Sequence, residues 1–228
     1  MTDQAPVTPP QESKQTRMLL LGILLIGILL TGIVLTLTLR QMLAEQEPVN
    51  VPGVSVLSEG RDLMDFTLPS SSGEPVSLSD LRGKYALVFF GYTHCPDFCP
   101  LTLAEFKQVK TILGDAANDL NFVFISVDGQ RDTPEALARF LERFDSEFVG
   151  LSGDDATLLR VAPDYGLYYE RRVDEGGESG NYPVDHSTAS YLVDPDGKLR
   201  VIFSYSAEPD VVAEGVQSIM RADGRAGA

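Results

Sequence analysis

The chain is organised around Tyr85 to Pro100, which reads Tyr-Ala-Leu-Val-Phe-Phe-Gly-Tyr-Thr-His-Cys-Pro-Asp-Phe-Cys-Pro. Its first part, Tyr85 to Phe90, is a continuous apolar run of strand length, which is typical of a strand buried on both faces. The run leads into Cys95 and Cys99, the only two cysteines of the chain. The stretch therefore predicts a buried strand that carries two thiols at its carboxyl end.

The spacing of the two cysteines allows two kinds of chemistry. A disulfide across so short a loop restrains the unfolded chain little, so a chemical role is favoured over a purely structural one. When deprotonated, the same two sulfurs are soft ligands that suit Cu(I) and, less specifically, Zn(II). From the loop alone, a disulfide switch and a metal site both remain open.

The charge of the chain excludes one class of partner. Its 33 Asp and Glu residues against 18 Lys and Arg give a formal net charge of −15. The charges of residues 1–39 cancel, so the whole excess lies on residues 40–228. A nucleic-acid surface needs clustered Lys and Arg, and we therefore expect no nucleic-acid partner.

Residues 18–39 carry no charge and are rich in Leu and Ile. A helix needs about 20 such residues to cross a bilayer, so this run predicts a transmembrane anchor and the lipid bilayer as a partner. A cleaved signal is the alternative, but its apolar part usually spans only about 7–15 residues and ends in small residues. The run instead passes into Arg40 without an Ala-x-Ala pattern.

The flanks of this run predict how the chain is oriented. Lys14 and Arg17 precede it, which favours a cytoplasmic N-terminus and an outward-facing domain. We expect residues 1–17 to be a disordered cytoplasmic tail, 18–39 the anchor, 40–60 a linker and 61–228 the globular domain. The N-terminus is not Arg-rich, unlike a mitochondrial transit peptide, so the predicted location is a bacterial inner membrane with the domain in the periplasm.

Strand and helix patterns alternate after the cysteine loop. Thr102 to Glu105 fits a capping box. Because Pro96 and Pro100 lie in the cysteine loop, we expect no regular helix before Cys99. Thr133 followed by Pro134 is a second helix start. The turn at 194–197 separates two β-rich runs and predicts a terminal β-hairpin. The order predicts an α/β fold, a mixed sheet with flanking helices of the thioredoxin-like kind.

The second histidine, His186, is a candidate third ligand. It lies just before the first strand of the predicted terminal hairpin. In a thioredoxin-like fold the loop before that strand packs against the cysteine loop, so His186 is expected to lie within reach of both thiols. The alternative is a histidine bonded only to Asp185 or to a backbone carbonyl, and the spacing does not separate the two.

The motifs together resemble the Sco/SenC family of copper-binding assembly proteins for cytochrome c oxidase. The resemblance runs from about Phe66 to the end of the chain. It departs from the family at Gly129-Gln130, where Pro-Glu is common. The stretches that carry it are Gly91 to Pro100, Ser126 to Asp128, Arg131 to Pro134, Asp185 to Ser187 and Tyr191 to Gly197.

The resemblance implies a thioredoxin-like fold and copper held by Cys95, Cys99 and His186. It also implies delivery of that copper to the dinuclear copper site of the oxidase. The copper-bearing oxidase subunit is then the expected partner, with other periplasmic copper carriers or thiol reductants as further candidates.

Four further positions are candidates for supporting roles. We expect His94 to be structural or to lie behind the ligands, and Asp185 to orient the imidazole of His186. Asp128 is either an acid behind the ligands or a turn residue, and the turn is favoured. Arg131 and Asp132 are expected to organise the loop before the second helix of the domain.

Two functions compete for this site, and a third is weaker. A copper chaperone needs both thiols and His186, whereas a membrane-tethered thiol–disulfide oxidoreductase needs only the redox pair Cys95 and Cys99. A peroxidase of the peroxiredoxin kind would need a Thr three residues before its cysteine, but Thr93 stands only two before Cys95. Copper delivery is the predicted function, with the oxidoreductase as the alternative.

Overall fold

The structure is a computed structural model that describes residues 14–44, 52–173 and 182–225. The chain forms two compact units, Met1–Val49 and Asn50–Ala228. Most of the predicted N-terminal tail and residues 174–181, whose acidic, Gly-rich sequence predicts a turn, lie outside the described residues.

The first unit contains a single long helix, α1, Lys14–Ala44. Its stretch Met18–Thr38 has a mean hydropathy of 2.9 and is long and apolar enough to cross a membrane. None of this stretch is buried inside the protein. The hydroxyls of Thr31 and Thr36 donate to the backbone carbonyls of Gly27 and Gly32, so these polar groups are satisfied within the helix.

The second unit alternates strands and helices. Its strands are β1 Val54–Asp62, β2 Thr67–Leu68, β3 Val76–Ser77, β4 Tyr85–Gly91, β5 Leu120–Ser126, β6 Val149–Ser152, β7 Tyr169–Arg171, β8 Val184–His186, β9 Ser190–Val193 and β10 Lys198–Phe203. Its helices are α2 Phe98–Leu113, α3 Pro134–Leu141, α4 Asp155–Tyr165 and α5 Pro209–Ala222.

The main sheet has six strands in the order β1-β10-β9-β4-β5-β6. Strands β4, β5 and β6 are parallel, whereas β9 is antiparallel to β4, and β10 and β1 continue the antiparallel side. The structure thus has the mixed sheet and the thioredoxin-like α/β architecture that the sequence predicts.

Strand β4 is the centre of the core and positions the cysteine loop. All of its residues are buried, as expected for a central strand covered on both faces. It ends at Gly91, opposite Ser126 of β5, and Phe89 pairs with Ser190 at the start of β9. Because β9 runs antiparallel to β4, the segment before β9 lies at the same sheet edge as the cysteine loop.

Helix α2 begins earlier than the sequence predicts. Its first residue is Phe98, with Asp97 at the N-cap, so the expectation of no helix before Cys99 and a capping box from Thr102 is wrong. Pro100 is tolerated because the first-turn N–H groups of a helix have no partner within it. The N-cap predicted for α3 is confirmed, since the hydroxyl of Thr133 accepts the Ala136 N–H.

The predicted linker of residues 40–60 contains a strand, which is a correction. Strand β1 pairs with β10 from Val54 opposite Phe203 to Asp62 opposite Lys198, with a shift of register between Val56 and Arg61. The shift of register interrupts the alternation of apolar and polar residues by which a strand is recognised in sequence. The edge position leaves most of β1 outside the core, so its composition is that of a surface segment.

Candidate metal centre

The cysteine loop is a tight turn between β4 and α2. The Cys95 N–H donates to the carbonyl of Tyr92 at 3.3 Å, which folds the chain back before the helix begins. Cys99 is the second residue of α2, and its N–H donates to the sulfur of Cys95 at 3.5 Å. The Cys95 sulfur therefore lies at the N-terminus of α2, where unpaired N–H groups and the helix dipole favour a thiolate.

Cys95, Cys99 and His186 meet at one point. Their ligand atoms all lie within 4.8 Å of one another, and the Sγ of Cys99 is 3.7 Å from the Nε2 of His186. Both cysteines are buried free thiols, and His186 is half-buried. The residues that the sequence indicates as candidate ligands are therefore assembled in the folded chain.

His186 presents its Nε2 to the thiols. Its Nδ1 lies 2.8 Å from the carbonyl oxygen of Ser187, and because a carbonyl only accepts, Nδ1 carries the proton. In the neutral ring the Nε2 lone pair then faces the sulfurs. The edges of Phe89 and Tyr92 pack against the imidazole with ring centroids 6.0 and 5.7 Å away, which fixes the plane of the ring.

The two thiols differ in acidity. The hydrogen bond from the side chain of Cys99 is the largest effect on Cys95; it outweighs burial and holds the pKa of Cys95 well below its usual range. The hydrogen bond to the Cys95 sulfur, together with burial, raises the pKa of Cys99. The pair thus loses its first proton readily and retains the second, as expected for two coupled acids.

A buried carboxylate fixes the entry to the loop. Asp132 is fully buried and accepts hydrogen bonds from the Thr93 N–H at 2.8 Å, the Thr93 hydroxyl at 2.6 Å and the Ser126 hydroxyl at 2.6 Å. The sequence predicts for Asp132 only a role in organising the loop before α3. In the structure it also attaches the cysteine loop to the end of β5.

The sequence of the chain is similar to that of a known protein family. The model of the family described as SCO1/SenC matches residues 58–221. The chain belongs to the SCO1/SenC family. The "SCO2-like protein" of Rickettsia felis is 35% identical over 150 residues, which cover 66% of this chain and 73% of that protein.

Solved members of the SCO1/SenC family share the fold. The structure of Bradyrhizobium japonicum ScoI with copper bound is 37% identical and has a TM-score of 0.61, covering 69% of this chain and 98% of that one. BsSco is 26% identical, with a TM-score of 0.58 and coverage of 72% and 95%. BsSco is described as a member of the Sco family of cytochrome c oxidase assembly proteins in which a disulfide switch has been identified.

Asp128 is the first residue of the turn after β5, as predicted, because its carbonyl accepts the N–H groups of Arg131 and Asp132 at 3.0 Å. Its carboxylate is fully buried and binds Arg131, the Tyr182 hydroxyl at 2.8 Å and Arg171 at 3.3 Å. Arg171 belongs to β7, which pairs with the His186 strand β8. Asp128 therefore joins the end of β5 to the hairpin that carries His186.

The other two supporting candidates lie apart from the ligand atoms. The carboxylate of Asp185 binds Arg172 at 2.7 Å, whereas the Ser187 carbonyl is the partner of the His186 ring, so the orienting role predicted for Asp185 is wrong. Adjacent residues of a strand point to opposite faces, which separates the two side chains. His94 is half-exposed, with its Nδ1 at 3.1 Å from the Thr93 hydroxyl and 3.7 Å from Asp132.

Proposed function

We propose that this protein is a membrane-anchored copper chaperone that holds copper through Cys95, Cys99 and His186. In this proposal it delivers the copper to the dinuclear site of cytochrome c oxidase. The single observation that carries the proposal is the convergence of two thiols and one imidazole nitrogen within 4.8 Å.

The chemistry of the donor set favours copper. Two sulfurs and a neutral imidazole are soft to borderline ligands, which suit Cu(I). A structural zinc site is almost always closed by four ligands. Among the described residues, the cluster that has ligand geometry contains only Cys95, Cys99 and His186.

Copper binding is expected to release a proton at this site. Cys95 already favours the thiolate, while Cys99 holds its proton more tightly than a free thiol. A metal ligand must be deprotonated, so the ion displaces the Cys99 proton when it binds. An oxidised pair offers no thiolates, so copper loading requires reduced cysteines.

The proposed location is a bacterial inner membrane, with α1 as a single-pass anchor, the N-terminus cytoplasmic and the thiol domain periplasmic. The length and hydropathy of Met18–Thr38 support the anchor. Lys14 and Arg17 before the span support the orientation. The tether between the two units is proposed to end where β1 begins, at Val54.

The proposed partner is the copper-bearing subunit of cytochrome c oxidase. Membership of the SCO1/SenC family supports it, because BsSco is called a cytochrome c oxidase assembly protein. Copper as the cargo is supported by the copper-bound structures of Bradyrhizobium ScoI and yeast Sco1. Other periplasmic copper carriers or thiol reductants are proposed to reload or reduce the site.

A thiol–disulfide oxidoreductase is the second candidate, and the unequal acidity of the thiols favours it. A thiolate at Cys95 beside a protonated Cys99 is an attacking and resolving pair of the kind that exchanges disulfides. The disulfide switch identified in BsSco supports the same interpretation. This function has no need of His186.

The test uses the full chain in detergent micelles, reduced under anaerobic conditions and titrated with Cu(I) against a competing chelator. The chaperone proposal expects about one Cu(I) per chain, and an affinity at least about 10–100-fold lower in His186→Ala. His94→Ala is the matched control and should bind as the unchanged protein does, because its ring lies outside the ligand cluster.

Two outcomes decide between the candidates. Unchanged Cu(I) affinity in His186→Ala, together with loss of thiol exchange in Cys95→Ser, would establish the oxidoreductase instead. Loss of copper binding in both Cys95→Ser and His186→Ala, with thiol exchange unaffected by His186→Ala, supports the chaperone with a redox-sensitive site.

A further inference from the structure

A shallow depression lies beside the cysteine loop, on the side formed by α3. Its volume is about 340 Å³. The loop contributes Thr93 and His94, and α3 with the turn after it contributes Ala136, Arg139, Phe140 and Arg143. The depression therefore borders the residue directly before Cys95.

The charged groups that line the depression are two cations, Arg139 and Arg143. The side chains of Arg139 and Arg143 are exposed, and His94 is half-exposed. The guanidinium of Arg143 lies 4.6 Å from the centre of the Phe140 ring, and its Nε donates to the Phe140 carbonyl at 3.3 Å. This arrangement holds the Arg143 cation in place and leaves its Nη groups available for a ligand.

Among the described residues, no carboxylate lines the depression. Asp132 lies beneath it, but Asp132 is fully buried, and its oxygens accept from Thr93 and Ser126. In the ranges 14–44, 52–173 and 182–225, neither Arg139 nor Arg143 makes an ion pair within 4.0 Å, although Glu135 and Glu142 lie near them in sequence. Glu135 lies close enough for the charge of Arg139 to act on it, but without a direct ion pair. On a chain of net charge −15, two neighbouring exposed cations are a local exception.

The half-exposed ring of His94 also borders the depression. The Thr93 hydroxyl donates to Asp132, so it accepts from the Nδ1 of His94. In the neutral ring the remaining nitrogen, Nε2, is a hydrogen-bond acceptor, so binding of a carboxylate here depends on the two arginines. His94 lies outside the ligand cluster and is half-exposed, so its place in the structure is the rim of the depression.

We infer that this depression is a docking point for carboxylates on the surface of the protein that exchanges copper or thiols with Cys95 and Cys99. The inference deepens the proposed function and rests on it for the nature of that partner. Arginine forks match carboxylates in bidentate geometry, so Asp or Glu side chains of the partner fit Arg139 and Arg143.

The overall charge of the chain makes such a contact selective. The excess of carboxylates repels an acidic partner at most points of the surface, so local attraction at the depression favours the approach that brings the partner to the cysteine loop. Because these charges are exposed, the attraction should weaken as ionic strength rises.

The test measures binding of a fluorescent oligoglutamate peptide to the metal-free full chain in detergent micelles by anisotropy, at low and at physiological ionic strength. We expect the unchanged protein to prefer oligoglutamate over a matched oligoserine peptide by about five- to tenfold at low salt. The double variant Arg139→Glu/Arg143→Glu should lose that preference. Since no copper is present, the result does not depend on whether copper binds.

The matched control is Arg160→Glu/Arg221→Glu. Both residues are exposed on helices, α4 and α5, and the change of net charge is the same. This control should keep the preference for oligoglutamate. Equal binding of the two peptides by the unchanged protein, or equal loss in both double variants, would overturn the inference.

A citrate arm separates a protein partner from a free small carboxylate. Citrate should displace the labelled peptide only weakly, since it offers fewer carboxylates than oligoglutamate. If citrate binds more tightly than oligoglutamate, the depression serves a free carboxylate and the partner assignment is wrong. Failure of Cu(I) to bind in the separate titration would overturn the proposed function and leave the peptide result standing.

Discussion

Gly91 and Cys99 lie in direct contact. A Cβ built on Gly91 would be 2.7 Å from the sulfur of Cys99. The same Cβ would lie 2.8 Å from Phe124 and 3.0 Å from Phe89, both fully buried. Because Gly91 has no side chain, the sulfur of Cys99, a candidate ligand, can lie against the end of β4.

Gly91→Ala is expected to displace the Cys99 sulfur, because the aromatic rings around it are packed in the core. Overpacking of this kind costs about 1–3 kcal/mol of stability. Because the sulfur moves relative to His186, Cu(I) affinity should fall as well. Urea unfolding and Cu(I) competition on the same protein measure both effects.

Gly150→Ala is the matched control for that substitution. Its Cβ would be 2.8 Å from Leu141 and 3.1 Å from Leu137, so it is crowded to a similar degree but against α3. It should lose stability and keep the Cu(I) affinity of the folded protein. Equal loss of affinity in both variants would show that the contact between Gly91 and Cys99 has no special role.

Asp132→Asn is expected to loosen the cysteine loop. An amide has one accepting oxygen and a donating NH₂, whereas Asp132 accepts from three donors on Thr93 and Ser126. Leaving a buried donor unmatched costs about 1–3 kcal/mol. We also expect Cu(I) affinity to fall by about 10–100-fold, as for residues that orient metal ligands.

Asp194→Asn separates the local effect of Asp132 from general destabilisation. Asp194 is also a buried acceptor, for the N–H groups of Asp196 and Lys198, but it lies in the hairpin turn between β9 and β10. It should lower the free energy of unfolding and leave Cu(I) affinity unchanged. If Asp132→Asn lowers stability alone, Asp132 supports the fold and not the site.

The positions of the three candidate ligands could be predicted from the sequence, whereas the ligand role of His186 followed from the family resemblance. Cys95 and Cys99 follow a run that only a buried strand explains, and His186 precedes a clear hairpin turn. The structure brings them together through the antiparallel pairing of β4 with β9. That pairing follows from the predicted fold and not from local sequence.

The supporting residues could not be predicted, because burial of a charge depends on partners far away in sequence. Asp128 follows a strand and precedes a turn, a position where a solvated aspartate is usual. Its partners Arg171 and Tyr182 lie on another hairpin. In the same way, the apolar side chain of Leu159 favours a core position on α4, yet the residue is 69% exposed.

The stability of the reduced protein is expected to rise with pH between about pH 5 and pH 8. The folded-state pKa of Cys95 is depressed below 9.0, so in this range the unfolded chain holds a proton that the folded chain has lost. The contribution of Cys95 to the free energy of unfolding is complete above the pKa of the thiol in the unfolded chain, and it is lost as pH falls toward the pKa in the folded chain. The raised pKa of Cys99 affects stability only above pH 9.0, where the unfolded chain loses a proton that the folded chain keeps, so the free energy of unfolding falls there.

Urea unfolding between pH 5 and pH 8 measures how steeply the free energy of unfolding rises with pH. For one proton this slope is at most about 1.4 kcal/mol per pH unit. The pKa values of the Asp145, Asp154 and Asp155 carboxyl groups lie below the ordinary 3.8, so these groups titrate below the range. Cys95→Ser should therefore remove most of the rise. A slope that survives this substitution would show that Cys95 is not the titrating group.

The sequence assigns most of strand β1 to a linker, whereas the structure pairs it with β10 in the main sheet. Removing residues 1–62 takes only two residues from the domain predicted to start at 61, but in the structure it uncovers β10 along five paired positions. At about 0.6 kcal/mol for each of about five lost hydrogen bonds, near the lower end of the usual range because this edge is exposed to water, the cost is about 3 kcal/mol. For a domain of this size that corresponds to a fall in melting temperature of about 6–12 °C.

A chain that begins at Pro52 is the comparison, since it keeps all of β1. Calorimetry gives the melting temperature, and light scattering reports whether the uncovered edge of β10 pairs with other molecules, as exposed edges do. Equal melting temperatures of the two chains would mean that β1 adds no stability to the domain. In that case the pairing from Val54 to Asp62 would be a covering of the edge strand alone, and only the scattering should differ.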